Sequence, residues 1–188
     1  MKEIISYKRL DSKTWDDLVS VFGEKGACGG CWCMYWRQKS TDFSKNKNEP
    51  NKKLFRKLVD EKKELGLIFY VNDEPAAWCS VSPREELYRI ENSRTFKLAD
   101  NKPAWSIVCL FIKKNYRRQG LSVRIIKSVI EYCKTKNVKI LEAYPAIPYA
   151  SKIPDSFAWT GFESAFLKAG FINIPVQTKS KAYMRFYL

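Results

Sequence analysis

At 188 residues, with 45% hydrophobic and 14% aromatic side chains, the chain is long enough for one folded domain and too apolar for a disordered one. No apolar run approaches the roughly 18–20 residues that a membrane span requires, and the N-terminal MKEIISYKRL lacks the apolar core of a signal peptide, so a cytoplasmic protein is expected. The net charge of +14 invites a nucleic-acid reading, but the lysines are spread along the chain and alternate with Asp and Glu, so nucleic acid is not expected as the main partner; a polyanionic small ligand accounts for part of the excess.

In chain order, Ile4–Leu10 reads as a first strand, and Asp11 or Ser12 can cap a helix whose Trp15, Leu18, Val19 and Phe22 fall at helical spacing. Gly23 and Gly26 end it. There follows GACGGCWCMYWR, in which Cys28, Cys31 and Cys33 are spaced C-x-x-C-x-C. A polar linker over 46–51, containing Pro50, leads into a lysine-rich helix with Leu54, Phe55, Leu58 and Val59 on one side. GLIFYV, NDEP and AAWCSVS are strand, turn and strand, an antiparallel hairpin. Residues 83–103 form a long irregular stretch with Arg84, Tyr88, Arg89 and Arg94, and connections of that length inside a domain are usually functional or disordered.

Trp105–Ile112 is the strongest strand in the chain, and it runs through KKNYRRQG into a helix, LSVRIIKSVIEYCKTKN, with Val123, Ile126, Ile130 and Cys133 inward. VKILEAYP is a strand, 161–169 a helix ended by Gly170, and INIPVQ and AYMRFYL are two closing strands. The order of elements points to one mixed α/β domain over residues 1–188, an α+β arrangement around a mixed sheet. Six cysteines in a chain without a secretory leader read as reduced thiols, and Cys79, Cys109 and Cys133, in apolar surroundings, read as small buried hydrophobes.

Between the strong strand and its helix, Arg117-x-x-Gly120-x-Ser122 places two basic residues, Arg117 and Arg118, at a turn and small residues at the first turn of a helix. Backbone N–H groups there have no intrahelical partner, the macrodipole adds positive charge, and Gly120 lets a ligand approach the backbone, so the stretch suits a pyrophosphate. An ordinary basic helix start has the same spelling. The stretch also resembles the cofactor-binding signature of the GNAT superfamily, the acetyl-CoA-dependent N-acyltransferases: an apolar L-x-V at a strand end, a short spacer, then R/Q-x-x-G-x-G/A opening a helix. Leu110-Phe111-Ile112 matches the strand end, and Arg117, Gly120 and Ser122 match the loop, with Ser122 where Gly or Ala is usual. The element order resembles the family over nearly the whole chain, and GGCWCMYW, SPRE, the E-x-Y-P strand end and the G-F after the last helix resemble a bacterial branch of it.

The resemblance implies a GNAT-like fold, a central, mostly antiparallel sheet with splayed strands flanked by helices, and acetyl-CoA as co-substrate. Backbone N–H groups of Arg118, Gln119, Gly120, Leu121 and Ser122 should hold the pyrophosphate, and Leu110, Phe111 and Ile112 should pair with the pantetheine and polarise the acetyl carbonyl. An acceptor amine then attacks the thioester directly. Glu142, in LEAY, matches a glutamate that takes the amine's proton in some members; the alternative is a glutamate that ends a strand in solvent. Tyr144, two residues on, faces the same side. Ser106 is a further candidate, for ordering a water. Where many members carry a Tyr as the acid, four residues before the G-F, this chain has Phe166, which leaves Tyr144, Tyr149 or water to protonate the thiolate.

Zinc takes about four ligands, and the chain has no histidine, so the cysteine stretch is not expected to hold a metal. A redox C-x-x-C belongs at a helix start in a thioredoxin-like fold, unlike this one. In GNAT proteins this region borders the acceptor, so Cys31, Trp32, Tyr35 and Trp36 are expected on the wall of the acceptor pocket, with Arg84 contributing from the irregular stretch. The expected function is acetyl transfer to a primary amine. Two readings stand beside it, a non-catalytic acyl-CoA-binding module and a basic nucleic-acid-binding protein. No membrane partner is expected, and a homodimer is allowed.

Overall fold

The computed structural model describes residues 5–97, 99–148, 158–175 and 180–188. Seven strands form one sheet: β1 (Ile5–Arg9), β2 (Leu67–Val71), β3 (Glu74–Pro83), β4 (Trp105–Ile112), β5 (Ile140–Ala143), β6 (Ile172–Ile174) and β7 (Tyr183–Tyr187). Their order across the sheet is β1-β2-β3-β4-β5-β7-β6, antiparallel throughout except between β4 and β5. The helices are α1 (Trp15–Phe22), α2 (Ser40–Lys45), α3 (Glu49–Asp60), α4 (Tyr88–Glu91), α5 (Leu121–Thr135) and α6 (Glu163–Lys168). None of the described helices is long and apolar enough to cross a membrane.

The central strands are apolar on both faces because helices cover both. Leu67, Phe69, Cys79 and Leu110 pack with Ile125, Ile126, Val129 and Ile130 of α5, while Ile68, Tyr70 and Trp78 pack with Leu18 and Phe22 of α1 and Phe55 and Val59 of α3. The turn between β2 and β3 is tight because Asn72 and Asp73 both take positive φ, 49° and 67°, as a two-residue hairpin loop demands.

Several local expectations are corrected. Asp11 does not cap α1 but turns the chain ahead of it: its Oδ1 accepts the N–H groups of Lys13 and Thr14, and the helix begins at Trp15. Val21, rather than Val19, is the buried valine of that helix. The segment read as a polar linker is partly helical and anchored: Pro50 lies in the first turn of α3, and Asn51, fully buried, donates to the Gly30 carbonyl and accepts from Gln38. Leu54 is exposed, so the buried stripe of α3 is Phe55 and Val59. The irregular stretch holds a one-turn helix, α4, and Val123 is only partly buried while Ile125 and Val129 lie inside. Ile4, Tyr149 and the end of INIPVQ lie outside the described residues.

The feature that positions the site is a divergence. β4 and β5 pair in parallel only from Trp105–Leu141 to Ile107–Ala143. Beyond Ile107 the two chains separate, and a stretch ahead of α6 enters between them. Leu110 N–H donates to the Trp159 carbonyl (2.7 Å), Ala146 N–H to the Gly161 carbonyl (2.9 Å), and Glu163 N–H to the Ala146 carbonyl (3.1 Å).

Candidate active site

The mouth of this divergence leads to the start of α5. Arg117 Nε donates to the Ile112 carbonyl (2.7 Å), tying the loop to the end of β4, and Gln119 folds back to the Asn115 carbonyl (3.0 Å). Arg118 and Gly120 take left-handed φ, 62° and 73°, which turns the first amides of α5 outward; a side chain at Gly120 would point into open space. No side chain caps α5 and its first turn carries no acid, whereas α1 has Asp16 and Asp17 there and α3 has Glu49. With two arginines just before it and no acid in its first turn, this helix start could hold an external anion. The structure therefore brings Arg117, Arg118, Gln119, Gly120, Leu121 and Ser122 together with the Leu110 and Ile112 edge of β4. Phe111, between them, instead faces α1, 5.8 Å from the Phe22 ring.

At the paired end of β4 and β5 lies a polar network with a buried centre and a rim, at Glu91 and Asp100, that reaches solvent. Glu142 is fully buried. Its Oε2 accepts from Arg84 Nη1 (2.5 Å) and from the Tyr144 phenol (2.8 Å). Its Oε1 accepts from the Tyr183 phenol and from Arg185 Nε (3.0 Å) and Nη2 (2.8 Å). Arg185 continues to Asp100 (2.9 Å), and Arg84 to Glu91 (2.8 Å) and the Phe96 carbonyl (2.9 Å). Burial alone would raise the Glu142 carboxyl, but Tyr183, Arg84 and Tyr144 together hold it below the usual carboxylate range. Burial and the Glu142 charge push the Tyr144 phenol well above its ordinary value of 10 and Tyr183 up to about 12.

Glu142 and Tyr144 are thus side by side, as their spacing implies, but the surroundings differ from the expectation. A carboxylate offers about four lone-pair sites, and five donors already approach this one, so none faces an incoming amine. Neither a base open to the cleft nor a solvated strand end describes Glu142. Arg84, expected on the acceptor wall, has every guanidinium nitrogen engaged inside the network and is 4% exposed. Ser106 lies within reach of the Tyr144 phenol (3.4 Å). Phe166 is fully buried against Phe171, with no polar group in the phenol's usual place.

Aromatic side chains close over the network. Tyr144 stacks on Tyr183 (5.4 Å, 16°) and meets Phe96 (4.8 Å) and Trp36 (6.4 Å). Trp36 donates its indole N–H to the Val108 carbonyl (2.9 Å) and packs on Tyr35 and Trp159, so Tyr35 and Trp36 do border the divergence. Trp32 points the other way, between Trp15 and Phe22, and beneath a groove of about 410 Å³ that Val19, Glu24, Asn48, Glu49 and Lys52 complete. Cys31 is half-buried beside it.

Four contributors had no legible signature. Tyr183 and Arg185 alternate in AYMRFYL, but a strand-end arginine reads as solvated until its partner is known. Trp159 and Lys181 lie at the divergence, with Lys181 donating to Thr160 Oγ1 (3.0 Å) above the Trp159 ring; burial lowers its ammonium to about 8.

Against known proteins, the model of the acetyltransferase (GNAT) family matches residues 32–151. No curated protein sequence matches the chain. Solved structures do. The PaiA N-acetyltransferase of Thermoplasma acidophilum in complex with coenzyme A is 14% identical, with 98% of this chain and 99% of that one covered at a TM-score of 0.55. The aminoglycoside N(6′)-acetyltransferase of Legionella pneumophila is 19% identical, with 100% and 94% covered at 0.53. The ribosomal-protein-S18-alanine N-acetyltransferase of Escherichia coli is 12% identical, with 98% and 94% covered at 0.52. At such identities the likeness is one of fold.

Proposed function

This chain belongs to the acetyltransferase (GNAT) family, and from that premise we propose that it moves an acetyl group from acetyl-CoA to a primary amine by direct attack in a ternary complex. The observation that carries the reading is the conjunction of an uncapped, acid-free, arginine-flanked start of α5 with a β4 edge that has lost its neighbouring strand. The outward amides from Arg118 to Ser122 bind the pyrophosphate. The β4 edge at Leu110 and Ile112 binds the pantetheine. Leu110 N–H polarises the thioester carbonyl, and the Trp159 carbonyl that now receives this N–H gives way to it.

Proton handling falls to Tyr144. Its phenol keeps its proton at physiological pH and so can donate it to the departing thiolate, and the phenolate left behind takes the proton that the attacking amine sheds as the amide forms; Ser106 of β4 lies within reach of that oxygen. Glu142 acts as a positioning residue: it fixes the two phenols and pairs with both arginines, whose charge it shares with Glu91 and Asp100. Trp36 and Phe96 cover Tyr144, so the acceptor enters by parting them. The fully buried Phe166 favours a second reading, a module that holds acyl-CoA without turnover.

Titration calorimetry with acetyl-CoA, followed by free-thiol release across a panel of primary amines, separates these. Saturable binding with amine-dependent CoA release supports the transferase. Binding with no release across the panel supports the module. Retention of DNA in place of acetyl-CoA would sink both.

A further inference from the structure

The mouth of the divergence holds a primary amine of the chain's own. Ala146 bridges Lys181 in antiparallel fashion, in the same register that pairs Ala143 with Met184. Lys181 therefore follows Arg185 and Tyr183 at alternate positions and shares their face of the sheet, the face of Glu142 and Tyr144. On its other side Ala146 bridges Phe162, in the stretch that enters between β4 and β5. The Lys181 side chain crosses to that stretch: its Nζ donates to Thr160 Oγ1 (3.0 Å) and lies 5.4 Å from the centre of the Trp159 ring. Thr160 is buried, and one residue before it the Trp159 carbonyl receives the Leu110 N–H (2.7 Å), the position given above to the thioester carbonyl.

Lys181 is half-buried, and no carboxylate among the described residues pairs with it. Glu142 and Arg185, the charged groups on its face, are bonded to each other, so what Lys181 itself meets is a hydroxyl and an indole. We propose that Lys181 is an acetyl acceptor: the chain transfers the acetyl group of bound acetyl-CoA to its own Nζ. This rests on the reading of the divergence as an acetyl-CoA site and adds a covalent modification to it. The ammonium first releases one proton to solvent. The nitrogen lone pair then attacks the thioester carbonyl carbon, the N–C bond forms, the C–S bond breaks, and the bonding pair leaves with sulfur. The nitrogen sheds one of its two remaining protons and the thiolate takes up one. The products are an Nζ-acetylated lysine and free CoA, and acetyl-CoA is the only reagent consumed.

Two features suit this amine to the step. A desolvated ammonium with no acid beside it gives up its proton more readily than a solvated one, and burial lowers Lys181 to about 8, so part of it is neutral near pH 7. The second is its one hydrogen-bond partner among the described residues. A thioester carbonyl that takes the Leu110 N–H must displace the Trp159 carbonyl, and with it the adjoining Thr160. The ligand that brings the acetyl group thus releases the amine that receives it.

The test is peptide mapping by mass spectrometry after the whole protein is incubated with saturating acetyl-CoA and no added amine, with acetyl-CoA binding measured by calorimetry on the same sample. One acetyl group should appear on Lys181, at a rate per chain that does not change when the protein is diluted, as for transfer within one molecule. That rate should rise with pH and level off near 8, whereas a solvated lysine reacting by chance keeps gaining up to about 10.5. Lys181→Arg should bind acetyl-CoA and stay unmodified, and Gly120→Glu should leave Lys181 unmodified for want of a bound thioester. Binding without acetylation of Lys181, or acetylation scattered over the surface lysines, overturns the inference and leaves the acetyl-CoA site standing. Absence of binding removes the site and the inference together. Lys181 acetylation as fast in Gly120→Glu as in wild type would also overturn it, because the thioester would then be reacting from solution. Should either variant fail to fold, the wild-type map, its dilution series and its pH profile decide.

Discussion

Arg185 stands directly opposite Glu142 in the β5–β7 register, Nη2 to Oε1 2.8 Å, with both side chains inaccessible to solvent. Removing one partner of a buried pair leaves the other charged and desolvated, which costs about 3–5 kcal/mol. Glu142→Gln leaves two buried arginines with only the part-exposed Glu91 and Asp100 to pair with, so urea unfolding should show a loss toward the lower end of this range. Glu142→Gln combined with Arg185→Met should recover part of it. A loss below about 1 kcal/mol would mean the network is solvated in solution. The sign of the pH dependence follows. Because the folded carboxyl is held below its unfolded value of about 4.5, its contribution is present above that value and disappears as pH falls through the folded one. The wild-type chain should therefore lose more stability than Glu142→Gln between pH 5 and acid, and the two curves should converge at low pH.

Acetyl-CoA should raise the melting temperature. A ligand that binds only the folded chain at a hundred times its Kd adds about 2.7 kcal/mol. Gly120→Glu should abolish the shift in a thermal scan, since it sets a carboxylate among the outward amides and forces a side chain onto φ 73°. An unchanged shift in this variant would move the phosphate site away from α5.

Tyr144→Phe should retain acetyl-CoA binding and lower turnover, once an acceptor is in hand, by about 10²-fold or more if the phenol delivers the proton. The defect should be largest at high pH, where few other acids remain. Equal rates for wild type and variant from neutral to alkaline pH would assign the proton to water. Turnover of Glu142→Gln should be judged only below its melting temperature, because its first effect is on the scaffold.

Lys181 is half-buried with its ammonium above Trp159, and its folded value of about 8 lies below the ordinary 10.5. The folded chain therefore binds this proton more weakly than the unfolded chain does. Below pH 8 the desolvated cation opposes folding in full; as pH rises from 8 to 10.5 that opposition fades. Lys181→Met, which keeps an apolar stem over the indole, should melt higher than wild type at pH 7 and match it near pH 10.5. A variant that melts lower than wild type at pH 7 would show that the ammonium contributes a favourable contact.

The strands, the long helix and the α5 loop were legible because each obeys a local rule. β2 to β5 are apolar runs bounded by turns, α5 has a stripe at helical spacing, and Arg117-x-x-Gly120 names a helix start. The Glu142 neighbourhood was legible only by halves. Glu142 and Tyr144 share a strand, so their adjacency follows from a period of two. Their partners come from elsewhere: Arg84 from the turn after β3, Tyr183 and Arg185 from β7. Nothing in the local pattern tells a buried arginine from a solvated one, and that difference turns Glu142 from an apparent base into the centre of a network. The loop over 26–33 was opaque for another reason, since its course depends on six residues at positive φ, only three of them glycines. Trp32 and Tyr35 are three residues apart, yet the left-handed turn at Trp32 and Cys33 sends one toward α1 and the other toward Trp36 and Trp159.

The strand order β5-β7-β6 separates the order of synthesis from the order of assembly. β6 is made before β7 but has no neighbour until β7 slots in beside β5, and until then Glu142 has only one of its two arginines. No half of the sheet on that side is therefore a stopping point: an intermediate containing β5 without β7 buries a carboxylate that lacks three of its five donors. Pairings so distant along the chain slow folding and sharpen its cooperativity. Refolding should show the Glu142 neighbourhood acquiring amide protection late, together with β6, while the β2–β3 hairpin is protected early.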